Sequence, residues 1–162
     1  MANLCWTALE KLRAVVLADG NGTLAEIAVR EGTYRKPFEE RTVLAQNVGP
    51  DLADQNRGTA YPAVYLYAAR MENLLRQKFN GFSGPVRVVA DVRCSGERYE
   101  GLEREVASYV EAVTTALAGN TGSWGDGLVY NGAYAVKFEP VKLGGRNFIQ
   151  SAKIELEIEA CG

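Results

Sequence analysis

One stretch, Pro85 to Leu117, changes its hydrophobic period once, and that change limits what the whole chain can fold into. Val86, Val88, Ala90, Val92 and Cys94 recur at every second position, with Arg87, Asp91 and Arg93 between them. That is the period of a half-buried strand. After Ser95-Gly96 the residues Tyr99, Leu102, Val106, Tyr109, Val110, Val113 and Leu117 fall three or four apart. Glu100, Glu103, Arg104, Glu105, Ser108 and Glu111 fill the gaps, which predicts a long amphipathic helix. Neither the strand's apolar face nor the helix's stripe is buried by the other alone, so the rest of the chain must supply further strands.

Residues 3–19 read as an N-terminal helix, capped by Asn3, with a stripe of Leu4, Ala8, Leu9, Leu12, Val15 and Val16. Asp19-Gly20-Asn21-Gly22 is expected to stop it. Residues 21–60 read as a long irregular loop, with short strands at Ile27-Ala28-Val29 and Thr42-Val43-Leu44 and turn signals at Glu31-Gly32, Lys36-Pro37, Val48-Gly49-Pro50-Asp51 and Gln55-Asn56-Arg57-Gly58. A strand follows over 63–69, with Val64 and Leu66 on one face and Tyr65 and Tyr67 on the other. Residues 70–79 extend that hairpin or form a helical turn. The glycine-rich stretch 119–127 is expected as a flexible loop. A strand over 128–142 leads to a hairpin turn at Gly144-Gly145-Arg146-Asn147. The last strand, 148–160, alternates most strictly: Ala152, Ile154, Leu156 and Ile158 face one way, Lys153, Glu155, Glu157 and Glu159 the other. The expected fold is α+β: a mainly antiparallel β-sheet with a long helix and an N-terminal helix packed on one face, in a single domain over 1–162. Its second face is unusually polar for a core.

Composition closes off several functions. A formal net charge of −2 argues against a protein that grips nucleic acid through its phosphates. No apolar run approaches the ~20 residues needed to span a bilayer. The first residues lack the basic and apolar regions of a signal peptide, so synthesis in a reducing cytoplasm is expected. Cys5, Cys94 and Cys161 are odd in number and far apart, which fits free thiols better than disulfides or a zinc site. The absence of histidine removes Ser-His-Asp and Cys-His hydrolases, His-ligated metals and imidazole acid–base chemistry.

The remaining motifs carry little chemistry. Gly20-Asn21-Gly22-Thr23-Leu24-Ala25 matches a dinucleotide fingerprint in letters, but a helix precedes it where a strand is required. The 119–127 loop lacks the Gly-Lys-Ser/Thr of a phosphate loop. Glu155, Glu157 and Glu159 place three carboxylates on one strand face, ~6.6 Å apart. They form a solvated face or the negatively charged wall of a channel; a metal site or a glycosidase pair lacks a second acidic cluster. Arg87/Asp91, Arg93/Glu97 and Glu100/Arg104 read as surface ion pairs or, for the strand residues, as subunit contacts. Trp6, Trp124, Tyr65, Tyr67 and Tyr130 are interface anchors or core. No catalytic, cofactor-binding or metal-binding residue is expected, and the chain is expected not to be an enzyme; a small α+β enzyme or ligand-binding domain using the acidic strand is the competing class.

The element order, together with Tyr61-Pro62-Ala63-Val64-Tyr65-Leu66-Tyr67, the strand Val86 to Arg93 with Ser95-Gly96 and its helix, and the run Phe138 to Ile154, resembles the tail terminator and related neck (head–tail completion) proteins of tailed bacteriophages. The resemblance covers most of residues 1–20 and 61–160. It implies a structural virion protein, assembled in the host cytoplasm, that forms a hexameric ring capping the tail tube. Such a ring ends tube polymerisation, joins the tail to the head connector and lets double-stranded DNA pass without specific binding. Another head–tail connector or tail-tube-associated neck protein is the alternative. The resemblance further implies Glu155, Glu157 and Glu159 facing the lumen, and Arg87, Asp91, Arg93, Tyr65 and Tyr67 at subunit contacts, with no cofactor and no membrane.

Overall fold

The two strictest alternations in the sequence become the two longest strands. In the computed structural model, which describes residues 3–49 and 59–162, β3 (Ser83–Gly96) and β7 (Asn147–Cys161) pair antiparallel from Ser83↔Cys161 to Gly96↔Phe148 without a register shift. β2 (Ala63–Met71) flanks β3, and β5 (Leu128–Phe138) flanks β7. Two short strands, β1 (Val43–Leu44) and β4 (Gly122–Gly125), stand at the ends, giving the order β1-β2-β3-β7-β5-β4. β6 (Lys142–Gly144) pairs with β7 where β5 has ended, turning through Gly145-Arg146 as expected. Only β1 and β2 run parallel, so the α+β fold carries a mixed sheet with antiparallel neighbours everywhere else.

One face of this sheet carries the core. Val86, Val88, Ala90, Val92 and Cys94 of β3 and Ala152, Ile154, Leu156 and Ile158 of β7 are buried there. The helix α3 (Leu102–Ala118) lays its stripe of Leu102, Val106, Tyr109, Val113 and Leu117 against them. Helix α1 (Leu4–Val15), capped by the Asn3 side chain accepting from Trp6 N–H, buries Leu4, Ala8, Leu9 and Leu12 in the same core.

Several expectations fail for tertiary reasons. The helical run does not stop at residues 19–22: a π-helical turn over Val16–Gly20 leads directly into α2 (Asn21–Glu31). Gly20 packs beside the Phe38 ring, with room for a Cβ 3.5 Å from it, and Asn21 bonds Leu17 O, Phe38 O and Phe38 N–H. The small and polar residues that resemble a helix stop are thus docking points for the returning chain. Residues 27–29 are helical, with Leu24 and Ile27 buried, and α2 ends at Gly32, whose φ of 66° forms the left-handed cap. Val43-Leu44 is a strand as expected; the turn signals at residues 50–58 lie outside the described residues. β2 continues to Met71, and Glu72 and Leu74 N–H still donate to Pro85 and Ser83 across the hairpin. The 119–127 stretch holds β4 and a tight turn. β5 ends at Phe138, short of the expected 142: Glu139 N–H still donates to Ser151 O, and beyond Pro140 the short β6 takes over the edge of β7.

That tight turn approaches the end of β7 closely: a Cβ on Gly127 (φ 78°) would stand 2.0 Å from Cys161 O. Gly32 shares the left-handed backbone but faces open space. Gly32→Ala is expected to cost the roughly 1–2 kcal/mol of the backbone conformation alone, and Gly127→Ala distinctly more. Thermal unfolding, at about 2–4 °C per kcal/mol for a chain of this size, checks the order; equal losses would refute the close approach.

Candidate functional surface on the open sheet face

Strand alternation places Arg87, Val89, Asp91 and Arg93 of β3 opposite Glu157, Glu155, Lys153 and Ser151 of β7, on the face turned away from the helices. β2 sets Tyr65 beside Asp91, Tyr67 beside Val89 and, after a bulge, Arg70 beside Arg87. β5 sets Lys137 beside Lys153 and Ala135 beside Glu155. Glu159 stands opposite Pro85 and Val129. The eight residues singled out in the sequence therefore share one face.

Their charges are arranged differently from the expectation. Residues four apart on a strand stand ~13 Å apart, so Arg87/Asp91 and Arg93/Glu97 do not pair. Arg87 and Arg76 take partners from β7, Glu157 at 3.7 Å and Glu159 at 2.7 Å, while Arg70 and Lys137 take the carboxylate two residues on, Glu72 and Glu139, each at 3.4 Å. The carboxylates Glu155, Glu157 and Glu159 are accessible and aligned, yet they do not form a bare acidic wall. Glu100 and Arg104 form no ion pair among those of the described residues.

Asp91 and Arg93, expected on an exposed face, are buried at 2% and 3% exposure. Arg93 donates to Asp91 Oδ2 at 2.9 Å and to Val48 O, and its guanidinium lies 4.4 Å from the centre of the Tyr65 ring. Tyr65 is itself buried with Ala63, packed by Val48 and Tyr61. The segment ending at Val48 covers these groups, which takes them from the surface that a neighbour could touch. Asp91 Oδ1 and Arg93 Nη1 lack hydrogen-bond partners, so the pair is only partly satisfied. Tyr67 is half-buried, and burial first, then Asp91 and Glu155, push its hydroxyl pKa up. Tyr130 belongs to the interior and the half-buried Trp124 packs against it: the rings lie 5.6 Å apart and the indole donates to Asn120 O.

A shallow groove of about 270 Å³ runs between Arg87, Glu155 and Glu157 and the bulged stretch Ala133–Ala135 of β5. Nothing in it pairs a nucleophile with a base. Among the described residues, no three His, Cys, Asp or Glu side chains converge as metal ligands. Cys94 is fully buried and its thiol pKa is pushed well up, chiefly by burial, which keeps it protonated and unreactive.

A second polar cluster, which the expectation of loop and short strand over residues 21–31 conceals, clamps α2 to α3. Arg30 holds Glu111 through two bonds of 2.8 and 2.7 Å, and Glu31 accepts from Ser108 Oγ at 3.0 Å and from Arg35 at 3.4 Å. Tyr109 donates to Lys36 O at 2.8 Å. Nearby, burial pushes the Glu105 carboxyl pKa up, with Arg35 opposing it. The chain matches no protein-family model and no curated protein.

Two outcomes follow from these buried charges. Arg93→Met strands Asp91 and is expected to cost about 3–5 kcal/mol, whereas Asp91→Leu combined with Arg93→Met recovers most of it; additive losses in urea unfolding would contradict the coupling. Glu105 holds its proton longer when folded than when unfolded. Its ionised form therefore subtracts stability as pH rises above the ordinary carboxylate value of 4.5. Glu105→Gln is expected to stabilise the protein at pH 7 and to lose that advantage below pH 4.5, read from unfolding curves at both pH values.

Proposed function

We propose that this chain is a structural virion component of a tailed phage: one subunit of a hexameric ring that caps the tail tube, ends its polymerisation and joins the tail to the head connector. Double-stranded DNA crosses the open sheet face inside the ring. The element order supports this reading, since the helix, the entry strand, the long strand with its helix and the closing strand pair all occur in the fold.

The observation that carries it is the pairing of charge on the open face. Arg70, Arg76, Arg87 and Arg93 each lie against a carboxylate. Protein–DNA affinity comes largely from free cations that displace counterions from phosphates. A face whose arginines are already engaged offers a passing duplex little to hold, as a conduit requires and a DNA-binding site does not.

Electron microscopy and native mass measurement of the purified protein are expected to show six copies around a central hole of duplex width; a monomer at every concentration would end the proposal. Replacing Glu155, Glu157 and Glu159 together by Ser is expected to leave the fold nearly intact and to release Arg76 and Arg87. The variant should then bind duplex DNA at low salt, with log K falling against log salt at a slope of about −2 for two engaged phosphates. A variant that binds no better than the parent would show that these carboxylates mask nothing.

A further inference from the structure

We propose that the two outer edges of the sheet are the halves of one heterologous contact between copies of this chain. The outer edge of β5 at Tyr134, Val136 and Phe138 receives the β2 edge of the next copy, together with the Trp6 side of its α1. The inference rests on the ring proposed above for its closure, and on independent features of each edge.

β4 covers β5 only as far as Tyr130, and no described strand lies outside residues 131–138. Glu139 N–H donates inward to Ser151 O at 2.9 Å. By antiparallel alternation Phe138, Val136 and Tyr134 therefore turn their N–H and C=O outward. The same three side chains stand opposite Ala152, Ile154 and Leu156 on the core face. They carry its apolar surface past the helices, and Tyr134 and Phe138 remain 46% and 50% exposed. A long apolar edge with one charge, Lys137, is an open template for another strand.

At the opposite end of the sheet, β1 pairs only with Val64 and Tyr65 of β2. Val64 N–H points outward, to Thr42 O at 2.8 Å. Beyond β1 the β2 edge continues through Ala68 to Met71, 47% exposed. Helix α1 lies along this strand in the reverse direction: Cys5 Sγ is 3.4 Å from Met71 Sδ, and Arg13 reaches over to Val43 O and Glu40 O. Trp6 lies seven residues before Arg13, on the same side of the helix. Helical spacing thus directs it towards the β2 edge beyond β1, and it is 49% exposed.

Direction makes the two edges compatible. β2, β3, β7 and β5 are four successive antiparallel strands, so the outer edges run oppositely. One copy's β5 and the next copy's β2 pair antiparallel without turning the sheet over. Polar face then meets polar face, and Trp6 and Met71 arrive over Tyr134 and Phe138, residue types favoured at interfaces. A head-to-tail contact of this kind closes into a ring when its rotation divides the circle.

The test uses single variants of the full chain, with circular dichroism to confirm folding and native mass measurement to count copies. Phe138→Glu charges the β5 half, Trp6→Glu charges the β2 half, and Val136→Pro removes an outward N–H while sparing the β7 ladder. Each is expected to be folded and monomeric. Mixing Phe138→Glu with Trp6→Glu is expected to give a one-to-one heterodimer and nothing larger, because each copy retains the half that the other lacks. Rings that persist in the variants would overturn this contact and leave the ring itself standing. A homodimer of Trp6→Glu would show two-fold β5–β5 pairing and overturn it as well. A parent chain that never assembles would remove the ring and this contact together.

Discussion

The fourteen consecutive rungs between β3 and β7 hold every other element in place. The two strands are separated in sequence by α3, β4, β5 and β6, so their pairing closes a long loop. The entropic cost of such closure grows only slowly with length, and an unbroken ladder with a continuous apolar face opposes it. Once the ladder exists, β2 and β5 have a strand to pair with, and α1 and α3 have a surface to cover. The second face of β3 is shielded where the segment at Val48 lies over it, so Asp91 and Arg93 are buried there although they alternate with the core residues, while Arg87 stays exposed.

What was legible in the sequence is what depends on local period. Val86 to Cys94, the α3 stripe and Ala152 to Ile158 each repeat long enough to declare helix or strand, and all lie where the period put them. The α2 segment was illegible because Gly20 and Asn21 carry two meanings. Either residue type ends helices in isolation; here Gly20 continues the helical backbone beside the Phe38 ring and Asn21 bonds the chain around it. β4 was hidden for a related reason, since its glycines serve positive φ angles in a hairpin as readily as they serve a loop.

The open face was legible in membership and illegible in detail. Parity along β2, β3 and β7 suffices to gather Tyr65, Tyr67, Arg87, Asp91 and Arg93 with the three glutamates. Who pairs with whom depends on register between distant strands: Arg87 meets Glu157 from β7, and Arg76 reaches Glu159 from the 72–82 loop. The burial of Arg93 depends on Val48, which follows a stretch with no strong period.

Paired charges and open edges place opposite demands on the molecule. The open face pairs its arginines within the chain, so it contributes little drive for association. The edges do not: outward backbone groups at Tyr134, Val136 and Phe138 find no protein partner among the described residues, and monomeric proteins ordinarily blunt such edges with charge, proline or a covering helix. Strand number then bears on the symmetry of what forms. With four full-length antiparallel strands the outer edges run oppositely, and the exposed Trp6 belongs to the β2 side alone. Pairing β5 with β5 would leave that side chain unused, whereas pairing β5 with β2 uses both exposed surfaces in every copy and leaves no end once the circle is closed.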